Sequence, residues 1–234
     1  MSYRITGTGS CIPDIAKKNS DFLENKFLDT DGGKFQTSNS EIIDKFNSIT
    51  GIYERRYAPD EINCSDLAAV AAGLAINDSK LDQETLDYII VAHNTGDISC
   101  SSGQVDTLPS VASKVKAKLK IKNPNCVAYD IICGCPGWVE GIIQAKSFIK
   151  SGMAEKCLVI GCDTLSRILD ENDRDSMIYA DGSGAIILES DNSYNGGILS
   201  HKSATFTYDG ENDFIFYGAS YDIKKRTKSD QKFI

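Results

Sequence analysis

The chain has 234 residues, 41% of them hydrophobic and 25% charged, with a formal net charge of −8 at pH 7. This composition is typical of a globular protein with a substantial core, and its acidic balance argues against nucleic-acid binding, which needs a basic surface. Its apolar runs are too short to span a membrane, while eight cysteines without paired spacing or a secretory signal indicate free thiols in the cytoplasm.

The N-terminal third predicts a strand, an acidic region and one long helix. Ser20, Ser40 and Ser65 are suitable N-caps, and apolar residues recur at helical spacing after the last of them. The predicted elements are a strand at 5–9, short helices at 21–27 and 41–46, an extended segment at 50–57 and a helix at 66–77.

The middle of the chain predicts alternating strands and helices. Its strands are nearly continuous apolar runs, which indicate a parallel sheet covered on both faces. Functional sites in such sheets lie beyond the carboxyl ends of the strands. The predicted strands are 87–93, 126–132 and 156–162, the helices are 109–119 and 138–151, and a long loop occupies 94–107.

The last third is less regular. Strand-like segments at 177–180 and 184–189 flank a glycine-containing segment, and 197–206 alternates like a further strand. We therefore expect an α/β domain over residues 1–217, followed by a polar linker or the start of another domain at 218–234.

Cys135 is the candidate nucleophile. It lies between an apolar strand and the helix that follows Pro136, and the positive end of a helix favours the thiolate that attacks carbonyls. Pro136 suits the first helical position, where its missing N–H costs nothing. Alternatively, Cys135 fills core space, or Cys133 is the reactive thiol. A metal site at these two cysteines lacks a second ligand pair.

Ten segments in order resemble the ketoacyl-ACP synthase III family, the initiating condensing enzymes of fatty-acid synthesis in the thiolase superfamily. The segments are 5–13, 50–56, 66–69, 89–92, 130–138, 148–154, 158–161, 164–167, 173–174 and 181–185. The resemblance implies a thiolase-like fold, layered αβαβα, of which this chain is mainly the N-terminal α/β half.

The resemblance also implies the chemistry. Cys135 would accept an acyl group from acyl-CoA or acyl carrier protein, with its backbone N–H in the oxyanion hole, and a decarboxylative Claisen condensation with malonyl-ACP would follow. The resemblance further implies that the protein is a homodimer and that it needs no metal or organic cofactor. Arg174 matches a CoA-contacting arginine, and Leu108 stands where the family reaches into the partner's acyl tunnel. Gly182 and Gly184 match a tight turn near the active site.

Some family features are missing. The family's enolate-stabilising histidine and asparagine lie in its second half, and neither histidine of this chain, His93 or His201, is at the catalytic position. Residues near Ile42 replace a CoA-binding tryptophan, and Ile49 replaces an arginine. We therefore expect a partial protein or one that pairs with a separate half.

Three functions stay open. A condensing enzyme leads; the alternatives are a non-decarboxylating acyltransferase or condenser of 3-ketoacyl units, as in dialkylresorcinol-like pathways, and a non-catalytic partner subunit. His93, at a strand end, is either structural or part of the site. Five lysines at alternate positions from Lys114 to Lys122 either dock an acidic carrier protein or form a solvated face.

Overall fold

The computed structural model describes residues 2–29, 31–208, 220–222 and 224. The chain divides into two compact units. The first contains Met1–Ile15, Arg56–Arg167 and Ala180–His201, and the second contains Ala16–Arg55, Ile168–Tyr179 and Lys202–Ile234. The linker expected at 218–234 lies mostly outside the described residues.

The described residues form the following elements. Strands β1 to β9 are Tyr3–Cys11, Ile15–Lys18, Glu54–Tyr57, Tyr88–His93, Asp97–Ile98, Val105–Asp106, Val127–Ile132, Lys156–Thr164 and Asp181–Ser190. Helices α1 to α4 are Asn39–Thr50, Cys64–Ser79, Val111–Lys118 and Gly137–Ser151. Short 3-10 turns occupy Asn19–Phe22, Gln83–Thr85, Leu165–Arg167 and Arg174–Ile178. Within this part of the chain, no helix is both long and apolar enough to cross a membrane.

The main sheet has five strands in the order β1-β9-β8-β4-β7. Strand β4 runs parallel to β7 and β8, whereas β9 is antiparallel to both β8 and β1. The parallel arrangement predicted for the strands in the middle of the chain, β4, β7 and β8, is therefore confirmed, and β9 and β1 extend the sheet in antiparallel fashion. No crossover helix lies between β8 and β9, so the chain can return in the opposite direction.

The sheet is covered on both faces, as predicted. Alternate residues of β4 and β8 belong to two different apolar clusters, one packed with α2 and α3 and the other with α4. Two glycines of β1 bring α2 close to the sheet. A Cβ at Gly7 or Gly9 would lie 2.1 Å from the carbonyl oxygen of Ala75 or Ala71, respectively. The core of the first unit is therefore built around β4 and β8, whose side chains enter both clusters.

Three local predictions are wrong. The helix expected at 21–27 is a 3-10 turn at Asn19–Phe22. The segment 177–180, expected to be a strand, begins inside another 3-10 turn, Arg174–Ile178, and is not a strand. The Asp173 carboxylate accepts a hydrogen bond from the Asp175 N–H at 2.8 Å, which caps that turn. The segment 197–206 is not a strand in the described residues, because no neighbouring strand pairs with it.

The second unit has its own small core. Helix α1 begins after Ser38, whose hydroxyl accepts the Glu41 N–H at 3.3 Å, so the helix is longer than the predicted 41–46. Its buried residues Ile42 and Ile43 pack with Phe22, Phe27 and Met177.

Candidate active site

Cys135 lies in the turn between β7 and α4. Gly134 has a φ of 58°, a left-handed conformation that favours glycine, and its carbonyl accepts the Gly137 N–H at 3.0 Å. Pro136 is the N-cap of α4, whereas the sequence predicted it at the first helical position, one residue further on. The side chain of Cys135 is exposed at the start of the helix. The local geometry therefore presents its thiol at the helix N-terminus.

A cavity of about 280 Å³ opens beside Cys135. Its lining brings together three of the predicted site residues, Cys135, Gly182 and Gly184. Cys133 is also exposed, but it is not among the residues that line this cavity. The two candidate cysteines are thus distinguished by position, since only Cys135 lines the cavity.

Small residues form the floor of the cavity. Gly161 of β8 is paired with Ala92 of β4 and with Gly184 of β9, which places the three side by side across the sheet. A Cβ at Gly161 would lie 3.3 Å from the Cβ of Trp138, whereas one at Gly184 would meet no atom within 4 Å. The Trp138 ring therefore occupies the space above Gly161, and the space above Gly184 stays open.

The tight turn implied for Gly182 and Gly184 is wrong, because both lie within the continuous strand β9. Two further residues, Trp138 and Asp163, line the cavity and were not predicted from the sequence. For Trp138 a signal existed: it follows Cys135 by three residues, which is about one helical turn.

Asp163 is the carboxylate of the cavity wall. Its two oxygens accept hydrogen bonds from the backbone N–H and the side-chain amide of Asn94, at 2.9 and 2.6 Å. Burial raises the pKa of the Asp163 carboxyl, although the hydrogen bonds from Asn94 act in the opposite direction. The chain thus holds a carboxyl group in one orientation beside the cavity.

His93 is buried, and both of its ring nitrogens are hydrogen-bonded. Its Nδ1 accepts the Gly96 N–H at 2.9 Å, so its Nε2 carries the proton and donates to Asp130 Oδ2 at 2.9 Å. The Asp130 carboxylate also accepts the N–H groups of Val111 and Ala112 at the start of α3. No ring nitrogen remains for a substrate, which favours the structural interpretation of His93. The other histidine, His201, is exposed.

Three of the five lysines in the cluster are engaged by the chain itself, two of them in ion pairs. Lys114 Nζ lies 3.1 Å from Asp97 and 2.9 Å from Asp106, and Lys118 Nζ lies 2.6 Å from Asp66. Lys116 donates to two backbone carbonyls at 2.7 Å. These contacts favour an ordinary surface over a carrier-docking patch.

The remaining predicted site residues do not line the cavity. Leu108 is 84% exposed. Arg174 belongs to the second unit, where its guanidinium lies 4.7 Å from the centre of the Phe35 ring and its Nε lies 3.8 Å from Asp175. In the part of the chain that the structure describes, no group of three or more histidine, cysteine or carboxylate side chains is arranged to hold a metal.

Comparison with known proteins identifies relatives. The family model for 3-oxoacyl-[acyl-carrier-protein (ACP)] synthase III matches residues 129–206. The chain is 36% identical over 200 residues to the beta-ketoacyl-[acyl-carrier-protein] synthase III of Ehrlichia ruminantium (strain Welgevonden), covering 85% of this chain and 56% of the relative. It is 39% identical over 190 residues to that of Neisseria gonorrhoeae (strain NCCP11945), covering 80% and 52%.

Solved structures give the same result. The crystal structure of 3-oxoacyl-[acyl-carrier-protein] synthase III from Aquifex aeolicus VF5 matches with a TM-score of 0.65 and 33% identity, over 82% of this chain and 55% of that one. The enzyme from Pseudomonas aeruginosa PAO1 matches with a TM-score of 0.67 and 27% identity, over 86% and 54%. The chain has the predicted thiolase-like α/β fold and spans about half the length of the curated relatives it matches.

Proposed function

Because this chain is a relative of the 3-oxoacyl-ACP synthase III family, we propose that it carries the acyl-accepting half of a β-ketoacyl-ACP synthase III-type condensing enzyme. The observation that carries the proposal is the position of Cys135, an exposed thiol at the N-terminus of α4 that also lines a cavity. Cys133, two residues earlier, is also exposed but does not line the cavity.

In the first proposed step, the Cys135 thiolate attacks the carbonyl carbon of an acyl thioester. The carbonyl oxygen becomes an oxyanion, which the Cys135 backbone N–H at the helix start helps to stabilise. The C–S bond of the donor then breaks, CoA or carrier thiolate leaves, and Cys135 holds the acyl group as a thioester.

In the second proposed step, a malonyl thioester on acyl carrier protein loses CO₂. The resulting carbanion attacks the acyl-enzyme carbonyl, the bond to Cys135 breaks, and a 3-ketoacyl thioester forms while the thiolate is regenerated. None of these steps uses a metal or an organic cofactor. The proposed partners are acyl-CoA, acyl carrier protein and a second copy of the chain, in the cytoplasm.

The proposed substrate contacts are Arg174 to CoA, Leu108 to the acyl chain, and Gly182 and Gly184 along the cavity. The alternative function is a non-decarboxylating acyltransferase or condenser of 3-ketoacyl units. Helix α1 bears on the acyl donor, which both functions need. Ile42 and Ile43, near the position of the family's CoA-binding tryptophan, are each only 8% exposed. Side chains in a core offer no surface to an adenine, which favours delivery of the acyl group by a carrier protein.

Product analysis separates the two functions. The protein is incubated with acyl-CoA or acyl-ACP and either a malonyl-ACP or a 3-ketoacyl donor. The leading proposal predicts transfer of the acyl group to the protein, and one CO₂ released for each 3-ketoacyl product wherever condensation follows. Chain joining from the 3-ketoacyl donor without CO₂ release would support the alternative, and absence of any acyl transfer would contradict both.

A further inference from the structure

Cys64 and Cys162 form a buried pair of thiols that the proposed chemistry does not use. Cys64 is the first residue of α2, and Cys162 lies near the end of β8. Their sulfur atoms are 3.0 Å apart, and the residues are 0% and 5% exposed, respectively. Sulfur atoms this close are in hydrogen-bond contact, and only a small approach separates them from the roughly 2.0 Å of a disulfide bond.

We propose that Cys64 and Cys162 are an oxidation site, at which a hydroperoxide converts the two thiols into an intramolecular disulfide that joins α2 to β8. This inference is independent of the proposed acyl transfer, because neither cysteine takes part in it.

The surroundings assign a different role to each sulfur. The Cys162 side chain packs in the apolar cluster between the sheet and α2, and the residue is 5% exposed, whereas Cys64 is 0% exposed. Of the two residues, Cys162 is therefore the more accessible to a small oxidant. The hydrogen bond to Cys162, together with burial, raises the pKa of the Cys64 thiol well above its usual value. Cys64 therefore keeps its proton and donates it towards the Cys162 sulfur.

The oxidation balances with hydrogen peroxide as the co-reactant. The Cys162 sulfur attacks one peroxide oxygen, the O–O bond breaks, and a sulfenic acid and one water form. The Cys64 sulfur then attacks the Cys162 sulfur as the Cys64 proton passes to the departing hydroxyl, so the S–O bond breaks and a second water leaves as the S–S bond forms. The two sulfurs lose two electrons in total, and the peroxide gains them.

The cross-link would have a large effect on the unfolded chain, because the two cysteines are 98 residues apart in sequence. Closing so long a loop removes much of the conformational freedom of the unfolded state. We expect the thermal unfolding midpoint to rise by roughly 5–10 °C on oxidation and to return on reduction with dithiothreitol.

The test is non-reducing peptide mapping of the whole chain. Fully reduced protein is treated with hydrogen peroxide, remaining thiols are alkylated, and linked peptides are identified by mass spectrometry. The proposal predicts a Cys64–Cys162 linked peptide, its retention in Cys157→Ala and its loss in Cys64→Ala. Cys157 is the matched control because it is also 0% exposed.

The mapping also provides outcomes that overturn the proposal. A link from Cys162 to Cys135, or peroxide treatment that leaves Cys64 and Cys162 as free thiols, would do so. The unsubstituted protein decides the question by itself, so the test does not depend on whether Cys64→Ala folds.

Discussion

The imidazole of His93 donates a 2.9 Å hydrogen bond to the Asp130 carboxylate, and this contact joins the last residue of β4 to the adjacent parallel strand β7. The same carboxylate caps the first N–H groups of α3. The network holds the segment that continues into Asn94 and, on the other strand, the turn that presents Cys135. Its expected role is to stabilise the scaffold of the site.

We expect His93→Ala to lower the free energy of unfolding by about 2–4 kcal/mol, because it removes a buried hydrogen bond to a charged group and leaves a cavity. His201→Ala, at the exposed histidine, removes only a 3.4 Å contact with Lys146 Nζ and should change it by less than about 1 kcal/mol. Urea unfolding followed by circular dichroism measures both variants. Equal effects of the two substitutions would contradict the structural role of His93.

A second prediction concerns the packing of α4 on the sheet. A Cβ at Gly141 would lie 2.9 Å from Val159 Cγ1 and 3.5 Å from Ile90 Cγ2. We expect Gly141→Ala to destabilise the protein by about 1–2 kcal/mol, because overpacking outweighs the gain in helix propensity.

Gly184→Ala is the matched control, since a methyl group there meets no atom within 4 Å. It should change stability by less than about 0.5 kcal/mol while slowing acyl transfer to Cys135, because the methyl group enters the cavity. The two variants are compared by thermal unfolding and by the rate of acyl transfer. A Gly184→Ala protein that is as unstable as Gly141→Ala would contradict the open space beside Gly184.

A third prediction concerns pH. Burial raises the pKa of Asp163 in the folded protein, so the stability linked to this carboxyl is fully present below its unfolded pKa and is lost as the pH rises through the folded pKa. Asp163→Asn has a neutral side chain at every pH. The free energy of unfolding of the natural protein minus that of Asp163→Asn should therefore fall over the acid range, as the pH rises above the ordinary aspartate pKa of about 4.

Urea titrations of both proteins at several pH values measure this difference, and the titration of all other carboxyls cancels in the comparison. A difference that stays constant over this range, or rises with pH, would contradict the burial of a charged Asp163 beside the cavity.

The sequence predicts the elements that carry Cys135 well. Strands β4, β7 and β8 are nearly continuous apolar runs, and Pro136 marks the start of α4, so local pattern and burial agree there. Each boundary lies within about two residues of the prediction, which is the usual fraying of element ends.

The errors arise where the fold depends on contacts distant in sequence. The glycines of 181–184 look like a turn, but Gly184 is a strand residue whose small size leaves the cavity open beside Gly161. The alternating segment 197–206 has the pattern of a strand without a partner, and Leu199 is 94% exposed. Local pattern shows which face is apolar; it does not show which strand lies beside it.

The most direct test of the proposed nucleophile is the location of the acyl group after incubation with an acyl thioester. Intact-mass and fragment analysis are applied to the natural chain, Cys135→Ser and Cys133→Ser. We predict one acyl adduct on Cys135 in the natural chain and in Cys133→Ser, and none in Cys135→Ser. An adduct that persists in Cys135→Ser, or that disappears in Cys133→Ser alone, would contradict the assignment of Cys135 as the acyl-accepting residue.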